Sequence, residues 1–295
     1  ACVNEMGIWH MTVAPSRANR SAIARPMPLD EPVTIATFPF NESIFDTSAP
    51  SRCYRHSPPS GRSATVRPMS LRLDQTVPFG RSLREYELMF SLSALDRTGR
   101  ILDCAAGPAS FNAELTAAGG TVCSLDPLYQ FTGVEIQRQF DATLDQVIAQ
   151  VRATPQHWIW SHHRSPEDLR RNRMTVMEHF LSDYRNGRGT GRYVCGSLPT
   201  LPFARDAFDL ALSSHFLFLY SDHFTEAFHL EAIRTLLRVA REVRIFPLIA
   251  LRAERSQHLD PVCEQLRREG YTLSIERVEY ELQRGGNEML RLRSA

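Results

Sequence analysis

Apolar residues in this 295-residue chain keep two spacings, and from Leu71 onward the two take turns. Ser82 followed by Glu85 forms a capping-box signature, and Leu83, Tyr86, Met89 and Phe90 make one apolar face at helical spacing. Arg97-Thr98-Gly99 then turns the chain into a short apolar strand, Ile101-Leu102-Asp103-Cys104. A helix is predicted from about Ser110 to Ala118, stopped by Gly119-Gly120. The next strand is Thr121–Leu125, ending at Asp126. Strand, helix and strand within so short a span require a right-handed parallel unit.

The following stretch, up to Arg192, is too long for one crossover helix. Helical patterning runs through Val134–Arg152, and a Trp- and His-rich segment follows. Ser165-Pro166 opens another helix, with Leu169, Met177, Phe180, Leu181 and Tyr184 at helical spacing, closed by Asn186-Gly187-Arg188-Gly189. Alternation then resumes. Tyr193–Ser197 and Phe208–Ser214 read as strands, Glu226–Ala240 as an amphipathic helix and Val243–Leu248 as an apolar strand. Asp260-Pro261 is expected to be the cap and first turn of a helix ending at Gly270. Tyr271–Tyr280 and Met289–Arg293 form a strand pair joined around Gly285-Gly286. The pattern gives one domain of about seven strands over residues 69–295, with a helical insertion at 128–192.

Residues 1–68 lack this order. They are rich in Pro, Ser and Arg and show no sustained period, so a dispensable, largely unstructured leader is expected there. Two other readings are an untranslated segment ahead of a start at Met69, or a targeting peptide. Asp30, Glu31 and Asp46, and the lack of a compact apolar core, weaken the second. Composition is ordinary for a globular protein, 43% hydrophobic and 23% charged, and a formal charge of +1 offers no general attraction for nucleic acid or anionic membranes. No apolar run is long enough for a membrane helix. The six cysteines include no C-x-x-C pair, which argues against a structural zinc site. Cys104, Cys123 and Cys195 are expected in core strands, and a reduced, cytoplasmic setting is the default reading.

The strongest chemical signal is Asp103-Cys104-Ala105-Ala106-Gly107-Pro108-Ala109-Ser110-Phe111, directly after the first strand and opening a helix. Small residues there let backbone approach a ligand closely, and a helix start offers unpaired N–H groups. Asp126 follows about twenty residues on, where a carboxylate accepts hydrogen bonds from ribose hydroxyls. Together they define a nucleoside-binding crevice at the carboxyl ends of the strands.

This stretch resembles the first motif of the class I S-adenosylmethionine-dependent methyltransferases, an acidic residue followed by three small residues at alternate positions. Here these are Asp103, then Ala105, Gly107 and Ala109. Alanine in place of glycine is expected to be tolerable only where φ is negative. The resemblance runs from Arg81 to Arg293 and takes in Asp126, the Gly196-Ser197-Leu198-Pro199 turn and Phe208-Asp209-Leu210. It implies an α/β, Rossmann-like, seven-stranded, mostly parallel sheet with helices on both faces, an antiparallel C-terminal strand pair, and the helical insertion between strands 2 and 3. It also implies S-adenosyl-L-methionine as cofactor, contacted by Asp103, Cys104, Ala105, Gly107, Asp126, Ser197, Leu198, Ser213 and Ser214. Ser197 stands where the family usually has an acidic residue for the adenine amino group, so that contact passes to its hydroxyl and the Leu198 N–H. Arg81 and Tyr86 are placed to close over the same site.

Methyl transfer needs a base only for acceptors that lose a proton, and His215 is the candidate; a hydrogen-bonded histidine that shapes the pocket is the alternative. His157, Trp158, Trp160, His162 and His163 in the insertion are expected either to wall an acceptor site or to anchor the insertion. No standard metal-ligand spacing is present, and no metal is expected. Asp222-His223 either reaches the same pocket or only starts the next helix. Arg170, Arg171 and Arg173 are expected on a solvated helix face. The acceptor is expected to be a small molecule, with no nucleic-acid or membrane partner indicated. Two other functions compete: a catalytically silent module with a decayed cofactor loop, and a nicotinamide-dependent oxidoreductase, whose G-x-G-x-x-G spacing this loop lacks.

Overall fold

The computed structural model describes residues 79–294. The leader at 1–68 and the first ten residues expected in the domain lie outside them. Seven strands form one sheet in the order β3-β2-β1-β4-β5-β7-β6. They are β1 (Arg100–Cys104), β2 (Thr121–Leu125), β3 (Tyr193–Val194), β4 (Phe208–Ser214), β5 (Ala240–Phe246), β6 (Thr272–Arg277) and β7 (Glu288–Arg293). β1 pairs in parallel with β2 and β4, β2 with β3, and β4 with β5; β7 runs antiparallel to both β5 and β6.

Helices cover both faces because alternate strand residues point to opposite sides. Ile101, Val122, Leu210 and Leu212 pack with α1 (Leu83–Phe90), α2 (Phe111–Ala117), α3 (Gly133–Ala153) and α4 (Pro166–Gly187). Leu102, Cys123, Ala211 and Val243 pack with α5 (Glu226–Val239) and α6 (Leu259–Arg268). The same alternation turns Asp103 and Ser124 towards the α1 side, where they meet each other and Tyr86.

Local chemistry sets the helix starts. The capping box at Ser82 and Glu85 is formed, and a second joins Thr132 to Glu135 at the start of α3. Ser165 caps α4 with Pro166 in its first turn. Ile136, Phe140, Leu144, Ile148 and Val151 make the buried stripe of α3, and the insertion is an α3–α4 hairpin laid beside α2.

Three expectations need correction. α6 begins at Leu259 after His258, so Asp260 and Pro261 lie inside its first turn instead of capping it. β3 keeps only two residues, and Cys195 beyond it is exposed. Arg173 is only 2% exposed and leaves the solvated face expected of it, while Arg170 and Arg171 pair on the surface with Asp145 and Asp168. No helix among the described residues is long and apolar enough to cross a membrane.

Leu102 is fully buried in the middle of β1, between β2 and β4. Leu102→Ala is expected to cost about 2–5 kcal/mol of unfolding free energy, read by chemical denaturation. A loss below 1 kcal/mol would show that the sheet centre repacks without it.

Candidate functional site

The loop leaving β1 is folded by two left-handed residues, Ala105 and Gly107, both at φ 57°. The expectation of a negative φ at Ala105 is therefore corrected: a side-chain-bearing residue holds a conformation that costs roughly 1–2 kcal/mol outside glycine. Three contacts hold it there. The Ala105 N–H donates to the Leu125 carbonyl (2.9 Å), the Gly107 N–H to Asp126 Oδ2 (2.9 Å), and the Tyr129 hydroxyl to the Gly107 carbonyl (2.7 Å). Tyr129 was invisible in the motif because it sits on the far side of β2. A Cβ built on Gly107 would meet nothing within 4 Å, so the loop leaves open space against its backbone. Ala109, by contrast, is buried and has no positive φ.

Asp126 ends β2 and is partly exposed. Its Oδ1 accepts from the Leu128 N–H (2.7 Å) while Oδ2 holds Gly107. Each oxygen keeps a further lone pair for a hydroxyl. Burial raises its pKa to about 6, against the pull of the two N–H donors. Asp103 is placed differently: fully buried, it accepts from the Tyr86 hydroxyl (2.9 Å) and the Ser124 hydroxyl (3.3 Å), so it props the loop from beneath. Burial, then the Asp126 charge, lift it to about 7 against those two hydrogen bonds. Cys104 is buried on the opposite face. Ser197 lies in a turn bridged to Thr200 and is partly exposed, with Leu198 buried beside it.

β4 ends on the other flank of the crevice. Ser213 is buried with its Oγ unpartnered, and the Ser214 Oγ lies 2.8 Å from His215 Nδ1. His215 is itself left-handed (φ 52°), pinned by its N–H on the Phe246 carbonyl (2.6 Å). Burial, then the positive charges of Arg81 and Arg173, hold its imidazole well below the ordinary histidine range. It is therefore neutral at pH 7. The Ser214 hydroxyl also lies 3.9 Å from Met89 Sδ.

Above the crevice stands a buried ionic cluster. Glu85 accepts from Arg173 Nη1 and Nη2 (2.9 and 2.8 Å), the Ser82 N–H (2.9 Å) and the Tyr280 hydroxyl (3.0 Å), with His163 Nε2 at 3.2 Å. His162 packs on His163 and on Tyr280. Ligand atoms of Glu85, His162 and His163 come within 4.8 Å of one another, a spacing that suits a metal ion. The Arg173 fork already occupies both carboxylate oxygens, and Arg81 stands beside it, so two cations oppose a third. Trp158 and Trp160 pack, half-buried, on the apolar core, and Trp158 Nε1 donates to Thr154. Asp222 and His223 are exposed, Asp222 pairing with Arg252. A surface hollow of about 390 Å³ between Arg84, Glu87, Leu92 and Glu279 holds none of the crevice residues.

No family profile matches the sequence. The uncharacterized protein MJ0045 of Methanocaldococcus jannaschii is 34% identical over 224 residues, which take in 76% of this chain and 98% of that one. The chain belongs to the family of this archaeal protein. Among solved structures, the PH0226 protein of Pyrococcus horikoshii is 12% identical, covering 72% of this chain and 89% of its own at a TM-score of 0.40. Magnesium protoporphyrin IX methyltransferase from Synechocystis PCC 6803 with bound SAM is 11% identical, covering 67% and 70% at a TM-score of 0.35. At those values the fold assignment stands on this chain's own strand order. The mostly parallel seven-stranded sheet with its antiparallel closing pair is the Rossmann-like fold that the resemblance of the Asp103–Phe111 motif implied.

Two changes test this geometry. Glu85→Gln leaves Arg173 buried without its carboxylate and is expected to cost about 3–5 kcal/mol of stability. The Arg173 and Arg81 charges and the His163 hydrogen bond hold the Glu85 carboxyl well below its ordinary value, against burial. Its stabilisation is therefore complete above the unfolded value of 4.5 and is lost as pH falls through the folded one. Unfolding followed against pH should lose part of its acid slope in the variant; an unchanged slope removes Glu85 from that role. Ala105→Gly relieves the left-handed alanine and is expected to raise stability by up to about 1 kcal/mol, net of the glycine's entropy cost. A destabilised variant would mean that the alanine methyl is a needed contact.

Proposed function

We propose that this protein transfers a methyl group from S-adenosyl-L-methionine to a small-molecule acceptor held beneath the insertion. The observation that carries the reading is the hydrogen bond between Asp126 and the left-handed Gly107. It sets a carboxylate with spare lone pairs beside a loop whose backbone faces open space. A nucleoside needs those two elements together. Asp126 would hold the ribose hydroxyls, the Ala105–Gly107 backbone the amino-acid part, and Ser197 with the Leu198 N–H the adenine edge. Asp103 and Cys104 support the loop from within the sheet, and Ser213 and Ser214 close the far side.

The bound cofactor supplies an activated methyl group on a sulfonium, so the protein's task is alignment and exclusion of water. His215 suits the remaining step. A neutral imidazole at the crevice can take a proton from an acceptor hydroxyl or amine. The near-neutral chain, without a basic stripe, favours a small acceptor over nucleic acid.

Calorimetric titration of the full chain with S-adenosylhomocysteine, and with NAD for comparison, is the test; micromolar binding of the first alone is expected. Because Asp126 titrates at about 6, affinity should be greatest above that pH and fall as pH drops through it. Asp126→Asn should remove the pH dependence, and Asp126→Ala should cost about 1.5–3 kcal/mol of binding. A wild-type chain that binds neither ligand, or an Asp126→Ala variant that binds unchanged, would overturn the reading.

A further inference from the structure

A run of side-chain hydrogen bonds leads from Asp103, beneath the β1 loop, out to the insertion. The Ser124 hydroxyl donates to Asp103 Oδ2 at 3.3 Å, and Asn112 Nδ2 donates to the Ser124 oxygen at 3.0 Å. Asn112 Oδ1 accepts from Arg192 Nη1 (3.0 Å) and from the Thr116 hydroxyl (3.2 Å). Arg192 in turn holds Asp183 of α4 through Nη1 and Nη2 (2.8 and 2.6 Å), and the Tyr193 hydroxyl donates to the same carboxylate (2.7 Å). Asp103, Asn112 and Ser124 are buried, while Arg192 and Asp183 reach solvent.

The partners fix the direction of every bond. Asn112 Nδ2 faces the Arg192 carbonyl (3.0 Å) as well as Ser124. Turned about, the amide would set its oxygen against that carbonyl and its N–H groups against the guanidinium. The Ser124 oxygen accepts from Asn112, so its own proton goes to the carboxylate. Arg192 therefore sets which way Asn112 faces, and Asn112 sets what Ser124 offers Asp103. Asp103 also takes the Tyr86 hydroxyl, and the Tyr86 ring stacks at 4.1 Å on Phe111, the first residue of α2. The loop carrying Ala105 and Gly107 thus starts at the acid and ends at a ring stacked on that acid's partner.

We infer that Asn112 is a positioning residue for this loop, and that the Asp183–Arg192 pair orients it, so that the insertion and the cofactor site share one hydrogen-bonded chain. The inference rests on the methyltransferase reading above, in which the loop backbone meets the amino-acid part of the cofactor while Asp126 holds the ribose. Hydrogen bonds behind a binding loop act by locking its geometry, so a break in the chain falls on the amino-acid part.

The test titrates the full chain with S-adenosylhomocysteine and with 5′-methylthioadenosine, which lacks the amino-acid part. Arg192→Met cuts the chain at its exposed end. It should weaken S-adenosylhomocysteine by about fivefold or more, the size of one lost hydrogen bond, and leave 5′-methylthioadenosine within about twofold of wild type. Arg192→Lys should regain part of the loss. Ser124→Ala should show the same split, and adding Arg192→Met to it should change S-adenosylhomocysteine affinity by less than about twofold, because the chain is already broken. Should Arg192→Met fail to fold, Asp183→Ala takes its place in each comparison. Equal losses for the two ligands, unchanged S-adenosylhomocysteine binding, or losses that multiply in the double variant would each overturn the inference and leave the cofactor reading intact. A wild-type chain that binds neither ligand removes both.

Discussion

Four parts of this fold meet at one buried carboxylate. Glu85 belongs to α1, Arg173 to the second helix of the insertion, His163 to the segment between its helices, and Tyr280 to the connection between β6 and β7. Taking a carboxylate and a guanidinium out of water is expensive, and such a pair adds little net stability over well-packed apolar residues. It adds position. Each partner arrives from a different element, and the fork geometry of Arg173 admits one orientation of the carboxylate. The α3–α4 hairpin is therefore tied to α1 and to the β6–β7 connection by directional bonds as well as by apolar packing. The capping box of α1 joins the same network, since the Glu85 side chain that accepts from the Ser82 N–H also receives Arg173.

Elements with a clear period are legible in the sequence. β2 and β4 fall on the residues the alternation marked, and α5 differs from its expected end by one residue. What failed shares a cause: it depended on partners distant in sequence. Arg173 sits among charged residues on a helix with a polar average, and nothing local distinguishes it from Arg170; only Glu85, 88 positions earlier, buries it. Ala105 looks like a residue that excludes positive φ, and the hydrogen bonds from Ala105 to Leu125 and from Tyr129 to Gly107 impose it. The Asp260-Pro261 pair reads as a helix start, but the chain was already turning at Ser256, whose carbonyl takes the Leu259 N–H. In the site, the acid of the motif was legible and its orientation was not: strand alternation sends Asp103 inward to Tyr86, while Asp126, just past β2, stays at the opening.

The crevice so formed has walls of opposite sign. Asp126 lies at the end of β2 with Asp103 behind it, and burial makes both reluctant to ionise. Across from them Arg81 and Arg173 stand near His215 and make it reluctant to accept a proton.

That polarity bears on when His215 can act. Its imidazole is kept neutral by burial first and by the Arg81 charge next, so taking a proton works against a fixed positive charge. The left-handed backbone at His215 is held by its N–H bond to the Phe246 carbonyl, so the strain at the end of β4 is balanced by a contact to β5.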